Sequence, residues 1–342
     1  MAGEDGRRRP TLADVARIAE VDASLVSRVL RDDPRGFASS ETRERIRRAA
    51  DDLGYRANAA GRGLRNNRTM TLGLLLPGFS SPVYSSIAHG VEVRANERGY
   101  GLVLGTHAAG DPHETISDML MRGSVDGMLV SSGRIEDDAL RRLVQHVQQS
   151  VVLVNRQVHG IAASVVLRDA DASAVAVRHL AHLNHRRICA VLGPQTLDTM
   201  VRRRRGFTRE CATLGIEASV IEMPERDRAA GFDATMRALE RRPRPTAVVA
   251  ATFPMAVGVL AALHQRGVAV PADMSVVALH DDDLANFLAP PLTTVWLPAE
   301  RLGAEAVDLA LALIGGSRPR RVVVPDEPRI VRRESTAQAV RH

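Results

Sequence analysis

A chain of 342 residues, with 45% hydrophobic and 25% charged side chains, has a soluble globular composition and enough length for two or three domains with a large core. Two cysteines cannot build a disulfide framework, and no apolar leader or run of about 18 apolar residues is present, so the chain reads as cytoplasmic with no membrane partner. The net charge of +6, carried entirely by Arg, is compatible with a polyanionic partner without establishing one.

The first 69 residues carry 15 Arg against 11 Asp and Glu, and they offer three short helices but no strand. Thr11 and Asp14 form a capping pair before "LADVARIA", Asp22 is placed to cap "ASLVSRVL", and Ser39 precedes "SETRERIRRAADDL", which Gly54 terminates. Only Glu20–Val21–Asp22 separates the first two helices, which is the spacing of a helix-turn-helix. In the second helix Val26, Val29 and Leu30 mark a buried face, while Ala23, Ser24, Ser27 and Arg28 group small and polar side chains on the other. Small side chains permit close approach, and Arg28 can reach guanine or phosphate, so this surface suits a DNA major groove. A three-helix domain that binds protein has the same local pattern.

From Thr71 the period changes. Apolar runs "TLGLLLPG", "GLVLG", "VDGMLVSSG", "SVVLVNR", "RICAVLGP", "TAVVAAT" and "MSVVALHDDD" alternate with helical stretches such as "SIAHGVEVRANERG", "ALRRLVQHVQ", "AVAVRHLAHL", "FTRECATLG" and "MAVGVLAALHQRG". This alternation predicts parallel sheets covered on both faces, in two subdomains, with ligands at the strands' C-terminal ends. Cys189, within "ICAVLG", reads as a buried strand residue.

Residues 11 to 336 resemble the lactose-repressor (LacI/GalR) family. The likeness is carried by "TLADVARIAEVDASLVSRVL", "ETRERIRRAADDLGYRANAAGRGLR", "DPHETISDMLMRGSVDGMLV", "HLAHLNHRRICAVLGP", "RRRRGF", "ADMSVVALHDDD" and "PPLTTVWLPAERLGAEAVDLAL". The resemblance implies an all-α helix-turn-helix head (11–56) after a disordered tail (1–10). A hinge helix or linker (57–69) follows, then an α/β two-lobed effector domain of periplasmic-binding-protein type with parallel sheets (70–342). Ala23, Ser24 and Arg28 would then read bases, with Thr11, Ser27 and Arg31 contacting the DNA backbone. Asn58 lies in the hinge, and Leu64 would wedge into the minor groove. Leu25 departs from the family pattern, which has a small hydroxyl residue there. Gly61 and Gly63 weaken the hinge helix by about 1 kcal/mol each, so it is expected to order only on DNA.

The same resemblance assigns residues 71–165 and the segment after Pro298 to one lobe, and 166–295 to the other. Its effector candidates are Phe79, Ser81, Asn155, Arg203, Thr252, Phe253, His280 and Asp281. Thr252-Phe253 and His280 replace side chains with which the family grips sugars. Asp and Asn hold sugar hydroxyls through paired hydrogen bonds, so their loss leaves a sugar and a more apolar ligand both open. The implied partners are double-stranded DNA with a near-palindromic operator, a small-molecule effector such as a carbohydrate, and a second copy of the chain. The resemblance implies a repressor function; the rival is a cytoplasmic small-molecule-binding protein without specific DNA recognition.

No cofactor or metal is expected, nor an enzyme: G-x-S-x-G, P-loop and H-E-x-x-H motifs are missing. His179, His182 and His185 recur every three residues but read as solvated. In "RRRR" (202–205), Arg203 is expected to point inward and the others into solvent. Trp296, the only tryptophan, is positioned to report lobe closure.

Overall fold

The computed structural model describes residues 10–30, 38–55, 68–106, 124–131, 135–147 and 150–339, and the chain divides into two compact units after Thr69. Residues 1–9, Arg31 and the hinge residues Asn58, Gly61, Gly63 and Leu64 lie outside the described residues.

The first unit is helical in its described parts: α1 (Leu12–Ile18), α2 (Ala23–Val29) and α3 (Ser40–Asp52). Thr11 and Asp14 close a reciprocal capping box on α1, and Ser39 caps α3 through the Thr42 N–H. Asp22 occupies the N-cap of α2 without a side-chain cap; the Leu25 N–H bonds the Asp22 backbone carbonyl at 2.9 Å. Val15, Ala16, Ala19, Val26, Val29, Ile46, Ala49 and Ala50 form one small core. Leu25 packs on this core, which gives the departure at that position a structural use.

The turn between α1 and α2 is built on Glu20, whose φ of +51° is left-handed, and Val21 N–H closes it on Ala16 C=O at 3.1 Å. A side chain in that region is strained where glycine is not. Glu20→Gly is therefore expected to stabilise the head by roughly 0.5–1 kcal/mol. The rise would be read as slower hydrogen exchange of the α1 and α2 amides; unchanged or faster exchange would refute it.

The second unit holds two six-stranded sheets. Their strands are β1 (Thr71–Leu76), β2 (Gly101–Thr106), β3 (Gly127–Val130), β4 (Ser150–Val154), β5 (Ser164–Val166) and β6 (Arg187–Leu192). After these come β7 (Glu217–Glu222), β8 (Ala247–Ala250), β9 (Ser275–Leu279), β10 (Thr293–Trp296), β11 (Arg321–Val323) and β12 (Arg329–Val331). The orders are β11-β5-β4-β3-β1-β2 and β12-β10-β9-β8-β6-β7, parallel throughout except for antiparallel β12. The helices are α4 (Pro82–Glu97), α5 (Asp137–His146), α6 (Asp169–His182), α7 (Asp198–Thr213), α8 (Arg228–Glu240), α9 (Phe253–Gln265) and α10 (Ala299–Ile314).

Alternation along the strands explains the two-sided burial. Leu74, Leu76, Leu129, Val152 and Val154 share a core with Ile87 and Val91 of α4 and Leu302 of α10. Their neighbours Leu75, Met128, Val130, Val151 and Leu153 pack on the other side with Leu140 and Leu143 of α5. Helices α4 and α10 meet backbone to backbone: a Cβ at Gly90 would stand 1.9 Å from Glu300 O, and one at Gly303 2.4 Å from Ile87 O.

The lobe boundaries differ from the expectation in one respect. The segment after Pro298 does not stay in the first lobe: α10 and β11 join the first sheet, but β12 returns to the second. Three-residue β12 carries too short a pattern to announce itself, and its partner β10 lies more than 30 residues earlier.

Candidate functional site

On the head, the exposed surface of α2 is formed by Ser24 and Arg28, with Ser27 and Ala23 half-buried beside them. The Arg28 guanidinium folds back along its own helix, donating to Ser24 O at 3.2 Å and to Ser24 Oγ at 3.3 Å. Ala23 also packs on the head core. The Thr11 hydroxyl donates to Asp14 Oδ2 at 2.7 Å, so its proton reaches a phosphate only if the cap opens. Behind this surface Arg45 of α3 donates to Ala19 O at 3.0 Å and ties the turn to the third helix.

In the second unit the strands' C-terminal ends and the starts of α4, α7 and α9 converge on a narrow cleft. Its polar lining includes Ser81, Tyr84, Asn155, Asp198, Arg226 and Thr252, over an apolar floor of Val83, Val154, Leu197 and Met200. Helix N-termini offer N–H groups to a ligand's oxygens. Asn155 follows β4 and His280 follows β9, both with left-handed backbone (φ +55° and +70°). The buried Asn155 Oδ1 has no hydrogen-bond partner among the described residues.

Beneath the cleft lies a dense charge cluster. Asp169, at the start of α6, is 1% exposed and takes Arg203 Nε at 2.7 Å and Arg202 Nη1 on its other oxygen. Arg203 also donates to Ala251 O and, through Nη2, to His280 Nε2 at 2.7 Å. Close helix packing makes this possible: at Gly206, one turn after Arg202 and Arg203, a Cβ would stand 2.0 Å from Ala170 O. Burial would raise the Asp169 carboxyl, but Arg202, Arg203 and His280 outweigh it and hold the group below the ordinary carboxylate range. Burial, then the neighbouring Arg203 charge, pushes the His280 imidazole down to about 3, so it is neutral and accepts from Arg203.

Among the described residues, two hydrogen bonds cross the cleft. Arg226 Nη2 donates to Tyr84 Oη at 2.8 Å, and Gln157 N–H donates to Asp198 Oδ2 at 3.0 Å. Arg202 Nε shares that same Asp198 oxygen at 3.0 Å. A continuous polar path therefore runs from the loop after β4 through Asp198, Arg202, Asp169 and Arg203 to His280.

Of the effector candidates, Ser81, Asn155, Arg203, Thr252 and His280 line this cleft. Phe79, Phe253 and Asp281 do not. Phe79 is 52% exposed to solvent. Phe253 opens α9 and is buried in the lobe's core. Asp281 is turned away by an ion pair with Arg333 at 2.9 Å and a bond from Thr294 Oγ1 at 2.5 Å. Tyr84, Asp169, Asp198 and Arg226 were missed in the sequence reading; a lone acid after a strand, followed by four consecutive Arg, is the one available signal.

The arginine and histidine runs are also corrected. Arg202 points inward with Arg203, its side chain 17% exposed, because two carboxylates wait for it. Only Arg204 and Arg205 of the run are exposed. His182 is exposed, but His185 is buried between Thr246 Oγ1 (2.9 Å), Ser275 Oγ (3.0 Å) and Ala337 O (3.1 Å), and His179 meets Thr336 Oγ1 at 3.1 Å. The C-terminal segment supplies partners no local pattern reveals. No group of three metal-ligating side chains occurs among the described residues. Cys189 and Cys211 are both buried, and burial pushes the Cys211 thiol up to about 12. No helix among the described residues is long and apolar enough to cross a membrane.

The comparisons with known proteins agree with both units. Residues 11–58 match the model of bacterial regulatory proteins of the lacI family, and residues 177–336 match a periplasmic binding protein-like domain. The HTH-type transcriptional regulator CelR of Thermobifida fusca is 33% identical over 339 residues, covering 96% of this chain and 99% of its own. A transcriptional regulator CelR–cellobiose complex superposes with a TM-score of 0.71 at 31% identity, over 96% of this chain and all of that one. The lac repressor dimer bound to operator and an anti-inducer gives 0.83 at 25% identity, again over 96% of this chain and all of that one. The chain belongs to the lacI family of DNA-binding bacterial transcriptional regulators.

Proposed function

We propose that this regulator acts as a cytoplasmic repressor that binds a near-palindromic operator as a homodimer, and that a neutral polyhydroxylated small molecule, a sugar or related metabolite, sets its operator affinity from the cleft. The observation that carries the effector class is the unpartnered Asn155 Oδ1, in a lining whose carboxylate, Asp198, is already matched by the Arg202 guanidinium. A buried acceptor without a donor calls for a ligand hydroxyl. The cellobiose held by the structural relative is of this class. Ser81, Asn155, Arg203, Thr252 and His280 are the effector contacts carried forward from the sequence; Tyr84, Asp198 and Arg226 join them. We read the cleft as a binding site without catalysis, since its one imidazole is engaged by Arg203.

Operator reading is assigned to Ser24 and Arg28, with Ala23 set close to the bases by its small size, and to Ser27 and Thr11 at the backbone. Arg28 must leave Ser24 to do so, which costs only two exposed hydrogen bonds. Dimerisation is supported by β2, an edge strand with Val103 and Leu104 exposed. A ligand that favours one lobe arrangement shifts the spacing of the paired heads by a coupling of about 1–3 kcal/mol.

The test is fluorescence-polarisation titration of the full chain against its own upstream intergenic DNA at several salt concentrations, with Trp296 emission followed during titration with cellobiose and simple sugars. A two-fold symmetric site should be preferred over scrambled duplex by about a thousandfold. Arg28→Ala should weaken that site by about tenfold or more while changing non-specific binding less. Equal affinity for scrambled DNA would leave only a small-molecule-binding protein.

A further inference from the structure

A second cavity lies at the opposite pole of the second sheet, where strands begin. Arg187 opens β6, Thr246 immediately precedes β8, and Asp273 lies two residues before β9; all three line a pocket of about 370 Å³, partly open to solvent. The effector cleft sits at the strands' other ends, so the two sites share no residue.

The pocket is cationic. Arg187, Arg244 and Arg266 line it against a single carboxylate, Asp273, which accepts the Ala269 N–H at 2.9 Å. His185, also in the lining, is held toward its neutral form by burial. Arg187 is committed, donating through Nε to Arg244 O at 3.0 Å. Arg266 ends α9, where the helix's negative pole favours a cation. Neither account covers Arg244. Its Nε and Nη2 are buried and have no hydrogen-bond partner among the described residues. Those two nitrogens form the edge of a guanidinium that grips two oxygens of one anion side by side. Pro243 and Pro245 flank Arg244 and restrict the backbone on both sides, and Arg244 is among the residues lining the pocket. Buried cationic N–H groups without an acceptor are costly, and the adjoining pocket has room for one.

We propose that this pocket is a binding site for a phosphate group, free or as the phosphate of a small metabolite, gripped by the Arg244 fork with Arg187 and Arg266 supplying the remaining charge. It gives the regulator a second small-molecule input at the pole remote from the cleft. Three guanidinium groups facing one carboxylate favour a dianion over a monocarboxylate.

The experiment uses the full chain with inorganic phosphate as probe, chloride being adjusted to hold ionic strength constant, and acetate and a sugar phosphate as the other arms. Binding is read by calorimetry and by thermal unfolding. Phosphate should bind and raise the melting temperature, with Arg244→Gln and Arg266→Gln each weakening it by about tenfold or more. Both variants should keep the Trp296 response to cleft ligands, which separates this site from the cleft reading. A sugar phosphate that binds tighter than phosphate identifies a metabolite source; equal binding identifies free phosphate. Undiminished phosphate binding in the Arg244→Gln, Arg266→Gln double variant would place the anion elsewhere and overturn the proposal, as would no binding, or acetate binding as well as phosphate.

Discussion

Asp169→Asn should lower folding stability by roughly 3–5 kcal/mol, the cost of deleting one partner from a buried ion cluster. The substitution keeps the shape of the side chain, so packing is nearly unchanged and the loss is electrostatic. Arg203, itself 3% exposed, would keep its charge without the carboxylate that offsets it, and Arg202 would retain Asp198 as its ionic partner and the Leu167 carbonyl. Helix α7 is locked against α6 by the close contact at Gly206, so neither guanidinium can withdraw to water without moving the helix. Urea unfolding at neutral pH gives the measurement, with circular dichroism confirming that the variant folds in the absence of denaturant. A loss below about 1 kcal/mol would mean that the cluster contributes no more than an exposed pair. The same carboxyl adds an acid limb: held below its unfolded value in the native state, it stabilises fully above that value, and the contribution disappears as pH falls through the folded one.

His280 produces the second large effect, at milder pH. An unfolded imidazole takes up its proton near 6.5, whereas the folded group resists it down to about 3. Below pH 6.5 the unfolded state therefore binds a proton that the native state refuses. Stability is complete above that pH and declines as pH falls toward 3. At pH 5 the loss from this one residue is about 2 kcal/mol. His179 and His185 are shifted in the same direction by burial, so the wild-type curve alone does not isolate His280. His280→Asn does: Asn tolerates the left-handed backbone at this position, and its carbonyl oxygen can accept the Arg203 N–H, but it does not titrate. Denaturation at pH 7 and pH 5 should show a pH-dependent loss about 2 kcal/mol smaller in the variant. Identical losses would show that His280 ionises normally in the fold.

Most of the architecture could be read before any coordinates because long parallel strands buried on two faces are written as uninterrupted apolar runs. Strands β1, β3, β4, β6, β8 and β9 are of this kind. Those that escaped have a physical reason to. Strand β7, "EASVIE", is at a sheet edge and buries only Ile221, while β5, β11 and β12 are three residues each and take their identity from partners far along the chain. Helix α8 has mixed hydropathy and a glycine in its first turn, so its period is weak.

The cleft was half legible for a similar reason. Ser81, Asn155, Thr252 and His280 follow strands or precede helices, positions that the α/β layout itself directs at the ligand. Phe253 sits one residue beyond such a position, and that single step turns its ring into the core. Arg226 and Tyr84 meet across 142 residues, and Asp198 and Gln157 across 41; nothing local in either segment encodes the meeting. Asp169 resembled an ordinary acidic first-turn residue because its value lies in two arginines a whole unit later.

The return of β12 to the second sheet, after α10 and β11 have served the first, has an engineering consequence. No uninterrupted stretch of the gene contains either half of the effector domain complete. Expressing residues 70–167 alone would leave the Gly90 backbone contact facing water without α10, and expressing 168–297 would strip β10 of its antiparallel neighbour. Swapping ligand preference between relatives therefore requires grafting side chains within the cleft, or exchanging the whole domain at the boundary after Thr69, because transplanting one half would sever partners encoded at both ends.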